Sequence, residues 1–362
     1  MKNFVINKYL VFEFLKSLMN VILVFACLGL IMNLFEEINY FKNYGVGIGL
    51  PISLSFMIIP SIIINMFPFI LFLSAMWVFI KLKNNRDLLA LKTFGYSNLD
   101  FLILYSISAF FIGTIILVAF NPVTSIIVKY YEDIKGKYSL DKSHLATITG
   151  NGIYIKEKVD GNVHIIRAKE LGGDFLYDVT IYKFDKKDYL SERIQAEQVD
   201  VSSTPWVLQD VYKSSFNEKN PIERVNTLIF NSSFNKEKLN TIYSNLDTVS
   251  FYKLITEKND LIKKGYNPKL LEEKKQAYLS LPFFLILMVI LAGIFTLNSN
   301  DKRQNAYYVL LSIIVCVIIY YFKNFSAALG STERIPIIIS VWSPVLILFI
   351  FCSVGIIQIN EK

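Results

Sequence analysis

Six long apolar stretches, three on each side of a long polar block, constrain the fold of this 362-residue chain more than any other feature. Most are near or above the roughly 20 residues that an α-helix needs to cross the hydrocarbon core of a bilayer. None has a charged side chain in its middle, whereas a helix of a soluble protein keeps one polar face toward water. The sequence therefore predicts an α-helical membrane protein with six transmembrane helices, arranged three and three. The stretches are Ser17–Phe35, Ile52–Ile80, Phe101–Phe120, Ala277–Leu297, Ala306–Phe322 and Ile337–Ile357.

The composition agrees with a membrane protein and argues against nucleic-acid binding, a disulfide framework and a metal site. Hydrophobic residues make up 53% of the chain, and its mean hydropathy is +0.43. The net charge of +7 comes without a basic tract in a nucleic-acid-binding fold, so we expect no nucleic acid as a partner. Cys27, Cys316 and Cys352 all lie inside apolar stretches, where cysteine behaves as a small hydrophobic residue. We therefore expect neither a disulfide framework nor a metal site.

The short loops carry their lysines and arginines mainly on one side of the predicted bundle. Because basic residues in short loops remain in the cytoplasm, this asymmetry predicts that both termini and the loop between the second and third helices are cytoplasmic. The polar block then lies outside, since long domains are translocated largely regardless of their charge. The predicted cytoplasmic side holds Lys2, Lys8, Lys16, Lys81, Lys83, Arg86, Lys92, Lys302 and Arg303, and the opposite short loops hold Lys42, Lys323 and Arg334.

The polar block has the pattern of an all-β domain followed by a helix. Short alternating runs such as Ile153–Ile155, Val163–Ile166 and Val179–Tyr182 are separated by turn residues, which is typical of an antiparallel sandwich or roll. Residues Ser250–Lys264 have a helical pattern and lead back to the membrane. The prediction thus places transmembrane helices 1–3 at 1–128, the β domain with its return helix at 129–275, and transmembrane helices 4–6 at 276–362.

A short amphipathic helix is predicted at residues 85–95, between the second and third transmembrane helices. Asp87 would lie in its first turn, where a negative charge is favourable, and Gly95 would end it. Apolar side chains recur at helical spacing between these two residues. Such a helix fits a groove on a partner protein and equally a position in the lipid headgroups, and spacing alone does not decide between the two. The apolar residues are Leu88, Leu89, Leu91 and Phe94.

Several segments resemble the LptF/LptG permease family, and together they cover nearly the whole chain. Residues Arg86–Ser97 resemble the coupling-helix motif of that family, in which an acidic residue precedes a run of small and apolar residues and a glycine. The order of three helices, an outer β domain and three helices is also similar. LptG is nearer than LptF, judged from Ile335-Pro336, Trp342–Pro344 and the outer domain. The other matching segments are Lys8–Leu10, Phe14–Lys16, Gly152–Lys156, Val179–Tyr182 and Trp206–Val211.

The resemblance implies a transmembrane subunit of a transporter that exports lipopolysaccharide from the bacterial inner membrane. In this family LptF and LptG pair with each other, an LptB ATPase dimer drives them, and the single-span LptC contributes to the lateral gate. The outer domain would be a periplasmic jellyroll in a relay of similar domains. Asp87 takes the position of the acidic coupling residue, which would pair with a basic group on the ATPase. The implied ATPase contacts are Arg86, Asp87, Leu88, Leu89, Leu91, Phe94 and Gly95.

A lipid with a phosphorylated sugar head would need basic side chains near the outer rim of the bundle. The alternative for each of these side chains is an ordinary snorkelling contact with phospholipid headgroups. The chain departs from the family at Asn33, Asn39 and Tyr40, where LptG members typically carry lysines. The candidates for headgroup contact are Lys42 after the first helix, Lys274 and Lys275 before the fourth, Lys323 after the fifth and Arg334 before the sixth.

The sequence offers little for catalysis. His144 and His164 are the only histidines, both in the polar block, and no phosphate-binding G-x-x-x-x-G-K-[ST] loop is present. We therefore expect no enzyme activity and no cofactor, with ATP hydrolysis in a separate subunit. Two other functions stay open: a permease for another amphiphile, such as a lipoprotein or phospholipid, and a membrane-anchored adaptor whose β domain binds partners.

Overall fold

The computed structural model describes residues 4–42, 44–85, 87–139, 144–149, 152–159, 162–172, 174–185, 189–215, 222–232, 234, 245–263, 266–297, 305–332 and 334–360. Contacts divide the chain into two compact units. One unit, Met1–Ile127 with Glu272–Lys362, contains the long apolar helices. The other unit, Val128–Leu271, contains the β-sheet.

The helices account for all the long apolar stretches of the sequence. They are α1 (Phe4–Phe41), α2 (Gly49–Asn84), α3 (Asp87–Thr93), α4 (Asn98–Ile115), α5 (Asn121–Ser139), α6 (Phe251–Thr256), α7 (Lys258–Lys263), α8 (Pro268–Leu297), α9 (Asn305–Ser331) and α10 (Ile337–Asn360). A π-helical turn, Ile116–Phe120, joins α4 and α5 into one continuous span. Among the described residues, six spans are long and apolar enough to cross a membrane: α1, α2, α4 with α5, α8, α9 and α10. The prediction of six transmembrane helices is confirmed.

Some serine side chains within the long helices bond to the backbone of their own helix. Ser55 Oγ donates to Pro51 O over 2.9 Å, and Ser74 Oγ donates to Ile70 O over 2.7 Å. A hydroxyl in hydrocarbon has no water to bond with, so an intrahelical acceptor removes most of the cost of placing it there. These serines are therefore compatible with a membrane span.

The core of the helical unit is centred on α8. The most apolar window of α8 is 72% buried, the largest share among the six spans. An aromatic cluster ties three other helices together: the Tyr105 ring of α4 lies 5.2 Å from the Phe14 ring of α1 and 5.3 Å from the Phe79 ring of α2. Such ring pairs contribute packing energy beyond the area that they bury.

The π-helical turn lies just before a proline. Pro122 has no backbone N–H and therefore cannot donate to the carbonyl one turn earlier. The backbone N–H of Asn121 instead donates to Ile116 O, which gives the wider turn. The buried side chain of Asn121 donates to the Tyr278 hydroxyl of α8 over 2.8 Å. The irregular turn is thus held to the central helix by a buried hydrogen bond.

The second unit contains one antiparallel sheet. Its strands are β1 (His144–Thr149), β2 (Gly152–Val159), β3 (Asn162–Ala168), β4 (Glu170–Gly172), β5 (Phe175–Phe184), β6 (Leu190–Asp200), β7 (Trp206–Ser215) and β8 (Ile222–Phe230). They pair in the order β1-β2-β3-β5-β6-β7-β8, and β4 pairs with β5. The predicted antiparallel all-β domain is therefore confirmed, although β1 precedes Ile153–Ile155, the first run that was predicted from the sequence as a strand.

One face of the sheet carries the core of this unit, because apolar residues alternate along the strands. The alternation shifts in β5, where Leu176 and Val179 both face the core although they are three residues apart. Asp178 between them has a positive φ of 52°, and Asp210 of β7 has a φ of 50°. Aspartate tolerates this backbone conformation better than most residues. These two positions let the sheet bend around its core.

The chain after β8 crosses to the core of the sheet. Trp206 Nε1 donates to Phe234 O over 2.7 Å, and Ser232 Oγ donates to the buried Glu157 over 3.0 Å. The predicted helix at Ser250–Lys264 is instead two short helices, α6 and α7, that are interrupted at Glu257. The break leaves Glu257 outside helical geometry, with φ −115° and ψ 23°.

Three headgroup candidates were placed outside helices by the sequence and lie inside them in the structure. Lys274 and Lys275 belong to α8, which begins at Pro268. Lys323 belongs to α9, which continues to Ser331 because Asn324–Gly330 retain helical pairing beyond the last apolar run. A hydropathy limit marks where a stretch stops being apolar, not where the helix ends. Lys42 and Arg334 lie outside helices, as predicted.

Candidate functional site

The short helix α3 and the loop after it form a compact projection between α2 and α4, which we call the hook (Asp87–Ser97). Asp87 opens α3 in its first turn, and Lys92 lies in the last turn, so both charges suit the helix dipole. Gly95 ends the hook helix with a φ of 82°, which L-residues with a side chain rarely adopt. The backbone N–H of Tyr96 donates to Leu91 O over 3.1 Å, a bond that closes the helix end.

The apolar side chains of the hook differ in exposure. The Phe94 side chain is 72% exposed, although it is a large apolar ring. Leu88 and Leu91 are half-buried. A protruding aromatic ring beside partly exposed leucines fits an apolar groove on another molecule. Arg86 and the side chain of Leu89, which were also predicted for this contact, lie outside the described residues.

The start of α4 is fixed by a capping box. The Ser97 hydroxyl accepts from the backbone N–H of Asp100 over 3.2 Å, and the Asp100 carboxylate accepts from the backbone N–H of Ser97 over 2.7 Å. Two helix N–H groups that would otherwise be unpaired are thereby satisfied. The loop between α3 and α4 is therefore fixed at both ends.

Two of the six spans are packed much less than the others within this chain. Only 17% of the most apolar window is buried in α1 and in α9, against 72% in α8. No residue of α1 between Ile22 and Glu36 is buried. Large apolar side chains on these two helices are therefore available to lipid or to another chain. They include Leu28, Met32 and Phe35 on α1, and Ile318, Tyr321 and Phe325 on α9.

The helix α9 packs against α10 through small residues. The Ser326 hydroxyl of α9 donates to Ser340 O of α10 over 2.6 Å. Gly330 lies one turn later on the same face, and a Cβ built on it would lie 2.2 Å from Ser340 Oγ. Small residues at this spacing let two helices approach closely in a membrane. The opposite face of α9 remains exposed.

Lys323 lies about two turns before the C-terminal end of α9. Its ammonium group stands 4.9 Å from the centre of the Phe284 ring of α8. The ammonium group of Lys274 stands 5.2 Å from the centre of the Tyr278 ring, and Lys274 and Lys323 repel each other electrostatically. The structure thus brings two of the headgroup candidates into one neighbourhood.

The other three headgroup candidates have surroundings unlike those of Lys274 and Lys323. Lys275 forms an ion pair with Glu272, with 3.5 Å between the charged atoms. Lys42 and Arg334 are exposed residues in loops. The five candidates therefore differ in their surroundings, and Lys323 is distinguished by its position over the Phe284 ring of α8.

A separate apolar groove of about 300 Å³ lies between α4, α8 and α10. It receives no residue from α1 or α9. Ile103 and Ile107 of α4, Ile286 and Ile290 of α8 and Ile356 of α10 line it. The groove matches lipid acyl chains in polarity and carries no charged group that would select a headgroup.

Several contacts around the hook were not predicted from the sequence. The Tyr96 hydroxyl donates to Asn7 Oδ1 of α1 over 3.0 Å, and Lys81 of α2 forms an ion pair with Glu13 of α1. These partners are far apart in the chain, so no local pattern indicates them. The one local feature of the sequence near these contacts is Tyr96, which directly follows Gly95 at the end of α3.

Comparison with known proteins agrees with the sequence resemblance. The model of the family described as lipopolysaccharide export system permease LptF/LptG matches residues 8–358, which cover the β domain and nearly all of the six spans. No curated protein matches the chain. The family consists of permease subunits, not of enzymes, and six apolar helices fit a multi-pass protein of the inner membrane. The match does not distinguish LptF from LptG. The chain belongs to the LptF/LptG family of lipopolysaccharide export permeases.

Proposed function

We propose that this chain is an LptG-type subunit of an ATP-driven transporter that takes lipopolysaccharide from the inner membrane and passes it toward the periplasm. The observation that carries the proposal is the sparse packing of α1 and α9, only 17% buried, against the 72% buried α8. An uncovered pair of apolar helices beside a packed core suits a wall of a lipid cavity, completed by a homologous LptF-like subunit. A single-span LptC-like protein would lie at the opening of that cavity.

The charge distribution supports an orientation with both termini and the hook in the cytoplasm. Lys81 and Lys83 at the end of α2 and Lys92 in the hook would lie on the cytoplasmic side, in agreement with the bias of short loops. The β domain is then periplasmic. In this orientation Lys323 lies in the outer half of α9, on the side toward which the lipid moves.

The hook is the proposed contact with an LptB-like ATPase dimer. Phe94 would enter an apolar groove of the ATPase, and Asp87 would pair with a basic group beside that groove. An ion pair that is shielded from water by apolar contacts resists sliding as well as pulling, so it can transmit force. ATP-driven closure of the ATPase dimer would move the hook and narrow the cavity.

The lipid headgroup would be recognised by basic residues at the outer ends of the helices. Lys274 and Lys323 repel each other, and a phosphate between them would remove that repulsion. Lys42 and Arg334, both exposed, would supply weaker contacts at the rim. Lys275 already has Glu272 as a partner and is the least suited of the five.

A permease for another amphiphile uses the same architecture and differs in the lipid alone. A membrane-anchored adaptor needs one span, and six spans with two uncovered helices favour transport instead. The deciding experiment is to purify the assembled complex from native membranes and to identify the bound lipid by mass spectrometry. Lipopolysaccharide enriched over the bulk membrane lipid supports the proposal. Enrichment of a lipoprotein or phospholipid, or of no lipid, would overturn it.

A further inference from the structure

The N-terminal part of α1 packs against the rest of the helical unit along a single stripe. Leu10 and Phe14 are fully buried, and Leu18 and Val21 are nearly so. These residues recur at intervals of three and four and thus share one face of the helix. Phe12 on another face is 64% exposed. From Leu10 to Val21, α1 therefore packs along one face against the helical unit, in contrast to the uncovered segment from Ile22 to Glu36.

Two polar contacts are made by α1 at the beginning of this packed segment and just before it. Tyr96 of the hook donates to Asn7 Oδ1 over 3.0 Å, and Lys81 at the end of α2 forms an ion pair with Glu13. The contacts bracket the buried Leu10. Glu13 is 15% exposed in its side chain and Lys81 43%, so the ion pair is only partly screened by water. The N-terminal part of α1 is thus bonded both to the hook and to α2, the helix that precedes the hook.

Tyr96 contacts three elements at once. Its backbone N–H donates to Leu91 O of α3, and its ring stacks on the Phe101 ring of α4 with 5.8 Å between centroids. Its hydroxyl reaches Asn7 of α1. The residue is only 5% exposed, although it lies in a short loop. A buried side chain with contacts on every side has few alternative positions, so it moves together with the hook.

These contacts could pass a movement of the hook along α1 to its uncovered part. An α-helix of 38 residues is about 57 Å long and resists bending. No residue from Ile22 to Glu36 is buried, and this segment packs within the chain mainly against α2, for example through the Phe25 and Phe69 rings, 5.8 Å apart, so a displacement that α2 shares meets little other packing. A movement applied at the start of the helix therefore reaches the segment that would line the lipid cavity.

We propose that Tyr96 is a positioning residue that passes movement of the hook to α1 through its hydrogen bond to Asn7, with the Glu13–Lys81 ion pair as a second link. This inference rests on the proposed function, in which an ATPase moves the hook. The inference adds the contacts through which movement of the hook reaches α1, a proposed wall of the lipid cavity. Tyr96 itself contacts neither lipid nor nucleotide in this scheme.

The test compares lipid export per ATP hydrolysed in the complete transporter, reconstituted in vesicles that contain lipopolysaccharide. Tyr96→Phe removes the hydroxyl alone, and Asn7→Ala removes its acceptor. We expect each to lower the ratio by about 3- to 10-fold, as for loss of one neutral hydrogen bond, while ATPase binding and the rate of ATP hydrolysis persist. The double variant should be no worse than either single variant, because both remove the same contact.

Conservative and control variants separate transmission from a general loss of structure. Asn7→Asp keeps an acceptor oxygen and should retain export per ATP hydrolysed. Asn7→Leu has no acceptor and should lower this ratio as Asn7→Ala does. Tyr9→Phe changes a tyrosine of α1 that is 51% exposed and should leave the ratio unchanged. If Tyr96→Phe prevents assembly, the comparison of Asn7→Asp with Asn7→Leu still decides. Wild-type export per ATP in Tyr96→Phe, or equal export in Asn7→Asp and Asn7→Leu, would overturn the inference. Absence of ATP-dependent export in the unmodified complex would instead contradict the proposed function.

Discussion

Gly330 of α9 lies so close to Ser340 of α10 that a Cβ on the glycine would be 2.2 Å from Ser340 Oγ and 2.7 Å from Ser340 Cβ. The second distance involves an atom fixed to the backbone, so a rotamer change cannot relieve the clash. We expect Gly330→Ala to destabilise the protein by about 1–3 kcal/mol, as for overpacking of a tight contact. Thermal unfolding in detergent measures this, with Gly49→Ala as the control because a Cβ built on Gly49 would meet no other part of the chain within 4 Å. Equal unfolding temperatures for the two variants would show that α9 and α10 are not held at this distance.

Asp87 tests the proposed contact of the hook with an ATPase. Asp87→Lys places a positive charge where a basic partner is expected, so repulsion replaces attraction. We expect export to fall at least about 10-fold, with membrane insertion unchanged. Co-purification of the ATPase and export in vesicles are the measurements. Glu197→Lys reverses an exposed charge in the β domain and should retain export. Full export by Asp87→Lys would remove the role assigned to this residue.

Lys323 tests the proposed headgroup site. Its ammonium group lies over the Phe284 ring and near Lys274, and it has no ion pair among the described residues. Lys323→Gln should weaken binding of lipopolysaccharide by about 10-fold or more, as for loss of a hydrogen bond to a charged group. Lys275→Gln is the matched control, since Lys275 is already paired with Glu272 and should matter little. Native mass spectrometry at increasing lipid concentrations gives both affinities, and similar losses in the two variants would count against a site at Lys323.

Much of the fold could be predicted because it depends on local properties of the chain. Hydropathy located the spans, and alternation located β2, β3 and β5. The end of α9 was missed because a lysine interrupts hydropathy without interrupting a helix. The contact between Tyr96 and Asn7 could not be predicted, since it depends on how α1 packs against α4. In the candidate site, helical spacing and Gly95 predicted the hook, but only packing reveals which long helices remain uncovered.

Glu192 of β6 gives the β domain a pH dependence of known sign. Burial raises the pKa of its carboxyl, but hydrogen bonds and charge from Lys183 and Lys213 outweigh this and lower the pKa below its usual value of 4.5. A lowered pKa in the folded state stabilises the fold above the pKa of the unfolded chain, and this stabilisation is lost as the pH falls through the folded pKa. Because the group is partly exposed, the effect should stay below about 1 kcal/mol for each ion pair.

Hydrogen exchange of the amides in β5, β6 and β7 measures this contribution. Glu192 Oε2 lies 2.8 Å from Lys183 Nζ, and Glu192 Oε1 lies 2.9 Å from Lys213 Nζ. We expect Glu192→Gln to speed exchange at pH 7 relative to the unmodified protein, and the difference to shrink as the pH falls below 4.5. A difference that grows toward acid pH would mean that the pKa is raised instead.

Photo-crosslinking in intact cells tests most directly whether α1 and α9 form the lipid-contacting wall. A photoreactive residue would replace Met32 of α1, Phe325 of α9 or Phe349 of α10, which are 74%, 62% and 56% exposed. Similar exposure makes Phe349 a control for contact with bulk membrane lipid. We predict lipopolysaccharide adducts at the first two positions and not at the third. Equal labelling at all three positions, or labelling at Phe349 alone, would show that α1 and α9 do not form this wall.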